Sequence, residues 1–258
     1  MPPSIITLEQ SKFDFSEALV IVISQSGKSA DLVECERKSR LMGANTVIIT
    51  NNVESPIIKE ANYFLNMFAG EEKSVAATKT FTQTLLVLIK LVFICLGKKN
   101  INDDIKKLSE IIVNDSSNEW NTDIIDKSIN TGFIIGRGVG FALSNEISLK
   151  FKELCQEMIE PFSSAEVMHG PKSLIQNSFK LFLLGMNDKS GLTVHNDVHE
   201  LKNYTNLIYE MSSNENTKSD FFYPSNKILE LDSVILMSKF YPWIIRYTIN
   251  KGLNPDEP

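Results

Sequence analysis

A run of β-branched residues near the start of the chain limits its fold more than any other feature. Residues 18–24 read Ala-Leu-Val-Ile-Val-Ile-Ser, with no polar side chain before the final serine. Such a run indicates a strand buried on both faces, as in a parallel sheet. A loop, a helical stretch and a second strand at residues 46–50 follow it. The order strand, helix, strand predicts an α/β fold with right-handed crossovers.

The same alternation starts again in the second half of the chain. Strands are predicted at 132–136 and 179–185, and helices at 141–157 and 192–209. A polar stretch, residues 97–130, separates the two halves, so we predict domains of residues 1–118 and 119–258 and a duplicated fold. The other predicted elements are a short helix at 56–61, strands at 63–67 and 227–231, and helices at 76–96, 101–113 and 233–250.

The composition limits the partners that the chain can have. Its 258 residues are 43% hydrophobic and 22% charged, with a net charge of −6 and a pI near 5.2. This acidity argues against nucleic acid or an acidic membrane as the main partner. The most apolar run, residues 84–96, is too short to span a bilayer, which needs roughly 20 residues. We therefore predict a cytoplasmic protein that binds neither nucleic acid nor membrane.

The cysteines and histidines give little support for a metal site. Cys35, Cys95 and Cys155 are widely spaced in apolar or helical contexts, which indicates buried thiols in a reducing compartment. His195 and His199 are four residues apart on a predicted helix, a spacing that can bind a metal. With no third ligand nearby, an exposed polar helix face is the favoured interpretation, and we predict no metal.

A serine-rich loop, Ser-Gln-Ser-Gly-Lys-Ser at residues 24–29, connects the first strand to its helix. A helix N-terminus at this point offers unpaired N–H groups and a partial positive charge, which suit an anion such as phosphate. The loop lacks the glycine spacing of a nucleotide-binding P-loop. From the residues alone, an N-cap at Ser29 supported by Asp31 is an equally good interpretation.

A second group of chemically capable residues lies near residue 150. Lys150 and Glu153 are three apart on the predicted helix and so project on one face. His169 follows sixteen positions later, before Gly170 and Pro171. A carboxylate and an imidazole are what an aldose–ketose isomerisation needs for proton transfer and ring opening. Spacing alone also permits a solvated Lys–Glu pair and a histidine with no catalytic role.

Five stretches together resemble the double-SIS (sugar isomerase) family, which includes the isomerase half of glutamine–fructose-6-phosphate aminotransferase. They lie in order along most of the chain, at residues 23–33, 72–81, 136–138, 149–153 and 164–171. The resemblance implies two tandem SIS half-domains, each a flavodoxin-like parallel sheet flanked by helices. It also implies that the serine-rich loop holds a sugar phosphate through Ser24, Gln25, Ser26 and Ser29.

The resemblance assigns catalytic roles as well. The family's catalytic glutamate falls on Glu153, its ring-opening histidine on His169, and its Schiff-base lysine on Lys150. Because the family's histidine is typically donated across a dimer interface, a homodimer is expected. No metal or organic cofactor is implied.

Two further stretches, residues 74–78 and 162–167, look more like the SIS-type glucosamine-6-phosphate deaminases, and Ala77 stands where the aminotransferase usually has a serine. The resemblance thus implies hydrolysis and isomerisation of glucosamine 6-phosphate, an aminosugar phosphate, to fructose 6-phosphate and ammonia. The alternative is a non-catalytic phosphosugar-binding module or an inactive truncated remnant of an aminotransferase-like protein.

The family pattern has segments at both ends that are not matched here. A helix, a strand and a Gly-Ser loop normally precede the part that resembles residues 5–33, and a tail with a lysine normally follows the part that resembles residues 251–258. We therefore expect the first sheet to lack its N-terminal strand and the second half to lack the C-terminal tail.

Overall fold

A computed structural model of the chain describes residues 1–8, 13–176, 178–216 and 218–257, with only the backbone of Val198. Contacts divide the chain into two compact units. The first comprises Met1–Lys73 and Ala77–Leu91, and the second comprises Ser74–Ala76 and Val92–Pro258. These are contact groups, and the domain division between residues 118 and 119 stays a prediction.

The first unit is built on a parallel three-stranded sheet. Its elements are α1 (Ser4–Thr7), β1 (Leu19–Ser24), α2 (Ala30–Leu41), β2 (Asn45–Thr50), a 3₁₀ turn (Pro56–Ile58), β3 (Tyr63–Asn66) and the first part of α3 (Lys79–Cys95). The sheet order is β1-β2-β3, with β2 in the centre. Ile48 and Ile49 of β2 are fully buried, as their central position requires.

The strand β1 departs from the sequence prediction. Burial on both faces was expected, but Leu19, Ile21 and Ile23 are 58%, 39% and 40% exposed, while Val22 and Ser24 on the other face are buried. The reason is that β1 is an edge strand with one covered face. An uninterrupted β-branched run identifies a strand of a parallel sheet, but it does not tell a central strand from an edge strand.

The second unit contains a parallel five-stranded sheet in the order β5-β4-β6-β7-β8. Its elements are α4 (Ile101–Asp115), β4 (Thr131–Gly136), α5 (Val139–Cys155), β5 (Met158–Ser163), α6 (Ser164–Met168), a 3₁₀ turn (Pro171–Leu174), β6 (Lys180–Gly185), α7 (Lys189–Leu201), β7 (Ile208–Ser212), β8 (Phe221–Phe222) and α8 (Leu229–Asn250). The predicted α/β class with helix-flanked parallel sheets is confirmed. None of the described helices is both long and apolar enough to cross a membrane.

Some predicted elements of the second half are wrong. The strand predicted at 227–231 is not formed: α8 begins at Leu229, and Glu230 and Asp232 lie in its first turn and suit its positive end. The helix predicted to continue to residue 209 ends at Leu201. The strands β5, β7 and β8 were missed, because none of them is a long apolar run.

Helices cover opposite faces of the second sheet. Phe133, Ile135, Leu181 and Leu183 pack in one cluster with Val167 of α6 and Val194 of α7. Phe182, which points to the other face because side chains alternate along a strand, packs against Phe151 of α5 with ring centroids 4.8 Å apart. It follows that α5 lies on one face of the sheet and that α6 and α7 lie on the other.

A buried charged network lies at the amino ends of the strands in this sheet. Glu157, fully buried before β5, accepts hydrogen bonds from Lys180 Nζ at 3.0 Å, Tyr247 Oη at 2.7 Å and Lys251 Nζ at 2.7 Å. Burial lowers the pKa of Lys180, against the opposing effect of Glu157. One carboxylate thus bridges two lysines and connects α8 to the sheet.

Glu157→Gln should destabilise the fold strongly, because it leaves Lys180 buried without a charged partner. We expect a loss of about 3–5 kcal/mol in the free energy of unfolding, measured by urea denaturation. The control is Glu160→Gln, which breaks a half-exposed pair with Lys152 and should cost at most about 1 kcal/mol. Equal effects of the two substitutions would contradict the role of Glu157.

Candidate functional site

The loop between β1 and α2 presents hydroxyl groups that are oriented by its own backbone. Ser24 Oγ accepts a hydrogen bond from the Gly27 N–H at 3.1 Å, and Ser26 Oγ accepts one from the Lys28 N–H at 3.3 Å. Each hydroxyl still has its own proton to donate. Ser24 is buried, whereas Gln25 and Ser29 are exposed and Ser26 is half-buried. The loop can therefore offer several neutral donors to an anion.

Two details of this loop bear on its function. Ser29 occupies the N-cap position of α2, but its side chain makes no capping hydrogen bond, so the hydroxyl is not used as the capping interpretation requires. Gly27 has φ +62°, and a Cβ there would lie 2.3 Å from Ser55 Oγ. Only glycine fits this turn.

The helix α5 carries a cluster of charged side chains on one face. Lys150 Nζ donates a hydrogen bond to Glu153 Oε2 at 2.7 Å and lies 3.3 Å from Glu146 Oε1. The side chains of Lys150 and Glu146 are 2% and 10% exposed, and that of Glu153 is 32% exposed. The predicted pair is thus not a solvated surface pair. Its lysine is buried, and solvent reaches the cluster mainly at Glu153.

Sequence reasoning missed two members of this cluster. Glu146 lies four residues before Lys150, one helical turn away, and this spacing was available as a signal. Tyr241 comes from α8 and donates a hydrogen bond from its hydroxyl to Glu146 Oε1 at 2.9 Å. No local pattern connects residues 95 positions apart. Burial raises the pKa of Glu146, which Lys150 and the Tyr241 hydrogen bond counteract.

His169 does not join the α5 cluster within one chain. It follows α6 and is exposed. Among the described residues, no hydrogen bond or ion pair connects its imidazole to Lys150 or Glu153. The two groups also lie on opposite faces of the sheet, because α5 and α6 do.

The strand β5 separates these residues further. Glu153 is near the end of α5, before β5 begins, and His169 comes after β5 ends. A strand of six residues spans about 20 Å. Glu153 and His169 are therefore at opposite ends of the strand as well as on opposite faces of the sheet.

A glutamate caps the helix α3 in the first unit. The Glu72 carboxylate accepts the backbone N–H groups of Thr78 and Thr80 at 3.1 and 2.9 Å and their hydroxyls at 3.2 and 2.8 Å. Although burial acts in the opposite direction, these hydrogen bonds hold the pKa of Glu72 below its ordinary value of 4.5. The capping fixes the segment between residues 72 and 80, one of the stretches that carry the family resemblance.

The described residues contain no group of three or more His, Cys, Asp or Glu side chains placed to hold a metal. His195 and His199 are both exposed. His195 Nδ1 lies 3.5 Å from Glu210 Oε2, so this histidine faces a carboxylate.

Comparison with known proteins shows what the chain is similar to. Residues 15–94 match the protein-family model of the SIS domain. The chain is 32% identical over 248 residues to glutamine–fructose-6-phosphate aminotransferase (isomerizing) of Sulfolobus acidocaldarius, with 93% of this chain and 41% of that protein aligned. The same enzyme of Sulfurisphaera tokodaii is 33% identical over 250 residues, with the same coverage. The chain thus spans about two fifths of the length of these relatives.

Solved structures show a similarity as well. A protein of Silicibacter pomeroyi, named as a presumed phosphosugar isomerase, matches with TM-score 0.86 and 26% identity over 99% of this chain and 79% of that chain. Glucosamine-6-phosphate deaminase of Thermotoga maritima shares the fold, with TM-score 0.78 and 20% identity over 100% of this chain and 78% of that chain. The resemblance to the SIS phosphosugar proteins is confirmed.

Glu72→Gln should destabilise the chain at neutral pH by about 1 kcal/mol, because charged hydrogen bonds are lost at a partly exposed site. The folded-state pKa of Glu72 is lowered, so the contribution is full above pH 4.5 and disappears as the pH falls below it. Urea unfolding between pH 7 and pH 3 measures this. The control is Glu71→Gln, whose side chain is 77% exposed. A pH-independent difference between Glu72→Gln and the native chain would contradict the assignment.

Proposed function

We propose that this chain is a phosphosugar-binding deaminase/isomerase that converts glucosamine 6-phosphate and water to fructose 6-phosphate and ammonia. The observation that carries the proposal is the charged cluster on α5. Burying a lysine beside two carboxylates carries a desolvation penalty that can exceed the Coulombic attraction between the charges, so such a cluster is a poor source of stability. Such clusters are common where proton transfer requires fixed charges.

Glu153 is the proposed proton-transfer group. It is the most exposed member of the cluster, and its carboxylate accepts a hydrogen bond from the buried Lys150 Nζ at 2.7 Å. In the open-chain sugar, a carboxylate on one face of the C1–C2 bond can remove a proton from one carbon and return it to the other. Glu153 has the accessibility that this role needs, and Glu146 does not.

Ser24, Gln25, Ser26 and Ser29 are the proposed ligands of the sugar phosphate. The support is that the loop combines hydroxyl donors with the N-terminus of a 12-residue helix. In a chain with net charge −6, these neutral donors provide a local anion site without a basic surface. Their grouping favours a phosphate monoester as the anchored end of the substrate.

We further propose that the chain acts as a homodimer and that His169 serves the site of the partner subunit. Within one chain, His169 and Glu153 are on opposite faces of the second sheet and at opposite ends of β5. They can act on one substrate only if two copies bring them together. A two-fold symmetric pair would build two equivalent sites in this way.

The Schiff-base role that the resemblance gives to Lys150 stays a prediction. A Schiff base needs a neutral amine, whereas the Lys150 amine contacts two carboxylates. These contacts hold the amine beside Glu153, and they would have to open before the amine could attack a carbonyl carbon.

Glu153→Gln should abolish turnover of glucosamine 6-phosphate, with a loss of at least about 10²–10⁴-fold, because the amide cannot accept the proton. Ammonia release and fructose 6-phosphate formation measure the rate. The control is Glu110→Gln at an exposed position of α4, which should keep full activity.

The same assay separates catalysis from binding. An inactive native chain that is still stabilised thermally by glucosamine 6-phosphate, with the effect lost in Ser26→Ala, would indicate a non-catalytic binding module. Activity that survives Glu153→Gln would contradict the mechanism.

Mixing two inactive variants tests the proposed dimer. Glu153→Gln and His169→Ala, denatured and refolded together, should recover about a quarter of the native activity, because half of the dimers are mixed and each mixed dimer has one intact site. Mixing Glu153→Gln with Lys150→Met should recover none, since both residues lie on one helix. Equal recovery in the two mixtures, or none in either, would rule out a shared site.

A further inference from the structure

A hydroxyl group from α8 contacts Glu146, a buried member of the charged cluster on α5. Tyr241 Oη donates a hydrogen bond to Glu146 Oε1 at 2.9 Å, and this same oxygen lies 3.3 Å from Lys150 Nζ. Lys150 in turn donates to Glu153 at 2.7 Å. Four side chains thus form a continuous series from α8 to Glu153.

Of the four side chains in this series, three are almost fully buried and Glu153 is partly exposed. Tyr241 is 6% exposed, the side chains of Glu146 and Lys150 are 10% and 2% exposed, and that of Glu153 is 32% exposed. A substrate can approach Glu153, whereas Tyr241 and Glu146 lie behind it. The hydrogen bonds and ion pairs of these two residues connect them to Glu153 through Lys150.

Glu146 depends on its neighbours to stay ionised. Burial raises its pKa, Lys150 and the Tyr241 hydroxyl lower it, and the like charge of Glu153 raises it. Among the residues that the structure describes, the titratable groups that act on it are Lys150 and Glu153 on the same helix and Tyr241 on α8. A hydrogen bond donated to a carboxylate favours the charged form. Without that bond, Glu146 would more readily take up a proton and release Lys150.

We propose that Tyr241 is a positioning residue that acts through Glu146 to hold the Lys150 ammonium between two carboxylates. An ammonium held at Glu146 as well as at Glu153 keeps a fixed position beside Glu153 and offsets only part of its negative charge. The kinetic consequence rests on the proposed function, but the geometric role does not. The helix α8 thereby contributes to a site whose reactive carboxylate is on α5.

The kinetic test uses two matched tyrosines of α8. Tyr241→Phe removes only the hydroxyl that reaches Glu146, and Tyr247→Phe removes one that donates to another buried glutamate, Glu157, at 2.7 Å. We expect Tyr241→Phe to lower kcat about tenfold with little change in KM. Tyr247→Phe should lower the melting temperature and leave kcat unchanged. Glu146→Gln, which keeps the shape of the side chain, should reproduce the loss seen in Tyr241→Phe.

A second measurement needs no turnover. With ¹³C-labelled glutamate, NMR follows the carboxyl signal of Glu146, assigned by its absence in Glu146→Gln. Its titration midpoint should move to higher pH in Tyr241→Phe and stay in place in Tyr247→Phe. An unchanged midpoint in Tyr241→Phe would overturn the inference, and so would an unchanged kcat in an active chain. If the native chain has no turnover, the proposed function has failed, and the Glu146 titration alone decides the inference.

Discussion

Packing between α5 and α8 holds both buried charge clusters of the second unit in place. At one point along α8, Tyr241 donates to Glu146 of α5. Toward the end of the same helix, Tyr247 and, just beyond it, Lys251 reach Glu157 after α5. Between them, the rings of Phe151 and Trp243 meet edge to face, with centroids 6.0 Å apart. An apolar contact thus fixes the spacing of two polar ones, and ions in a low-dielectric interior require such fixed partners.

The two clusters differ in what their burial achieves. Glu157 is itself fully buried and pairs with two lysines, so its role is to join α8 to the amino ends of the strands. In the other cluster, Lys150 is also buried, but its partner Glu153 is partly exposed to solvent. A charged group that is held rigidly and still reaches solvent can meet a ligand, whereas one that is completely enclosed can only support the fold. This difference in access is why we assign chemistry to one cluster and structure to the other.

Sequence patterns predicted the parts of the fold that rest on local composition. The apolar runs identified β1, β2, β4 and β6, because such a run indicates a strand from its own residues, whatever strand it pairs with. The strand β5 was missed because Glu160 and Pro161 interrupt it, and its place beside β4 comes from tertiary pairing. The site follows the same division. Lys150 and Glu153 were visible as a helical spacing, and Glu146 could have been, but Tyr241 is brought to them only by helix packing.

The position of His169 shows how topology limits a site that motifs describe as complete. In a parallel sheet, each strand runs from the end of the sheet where the strands begin to the end where they finish. Residues before and after β5 are therefore separated by the length of that strand. Glu153 comes before β5 and His169 comes after it. The helices beside them, α5 and α6, cover opposite faces of the sheet. No change in side-chain conformation can close both separations. A function that needs both residues on one substrate therefore requires a second copy of the chain, and a function that needs only Glu153 does not.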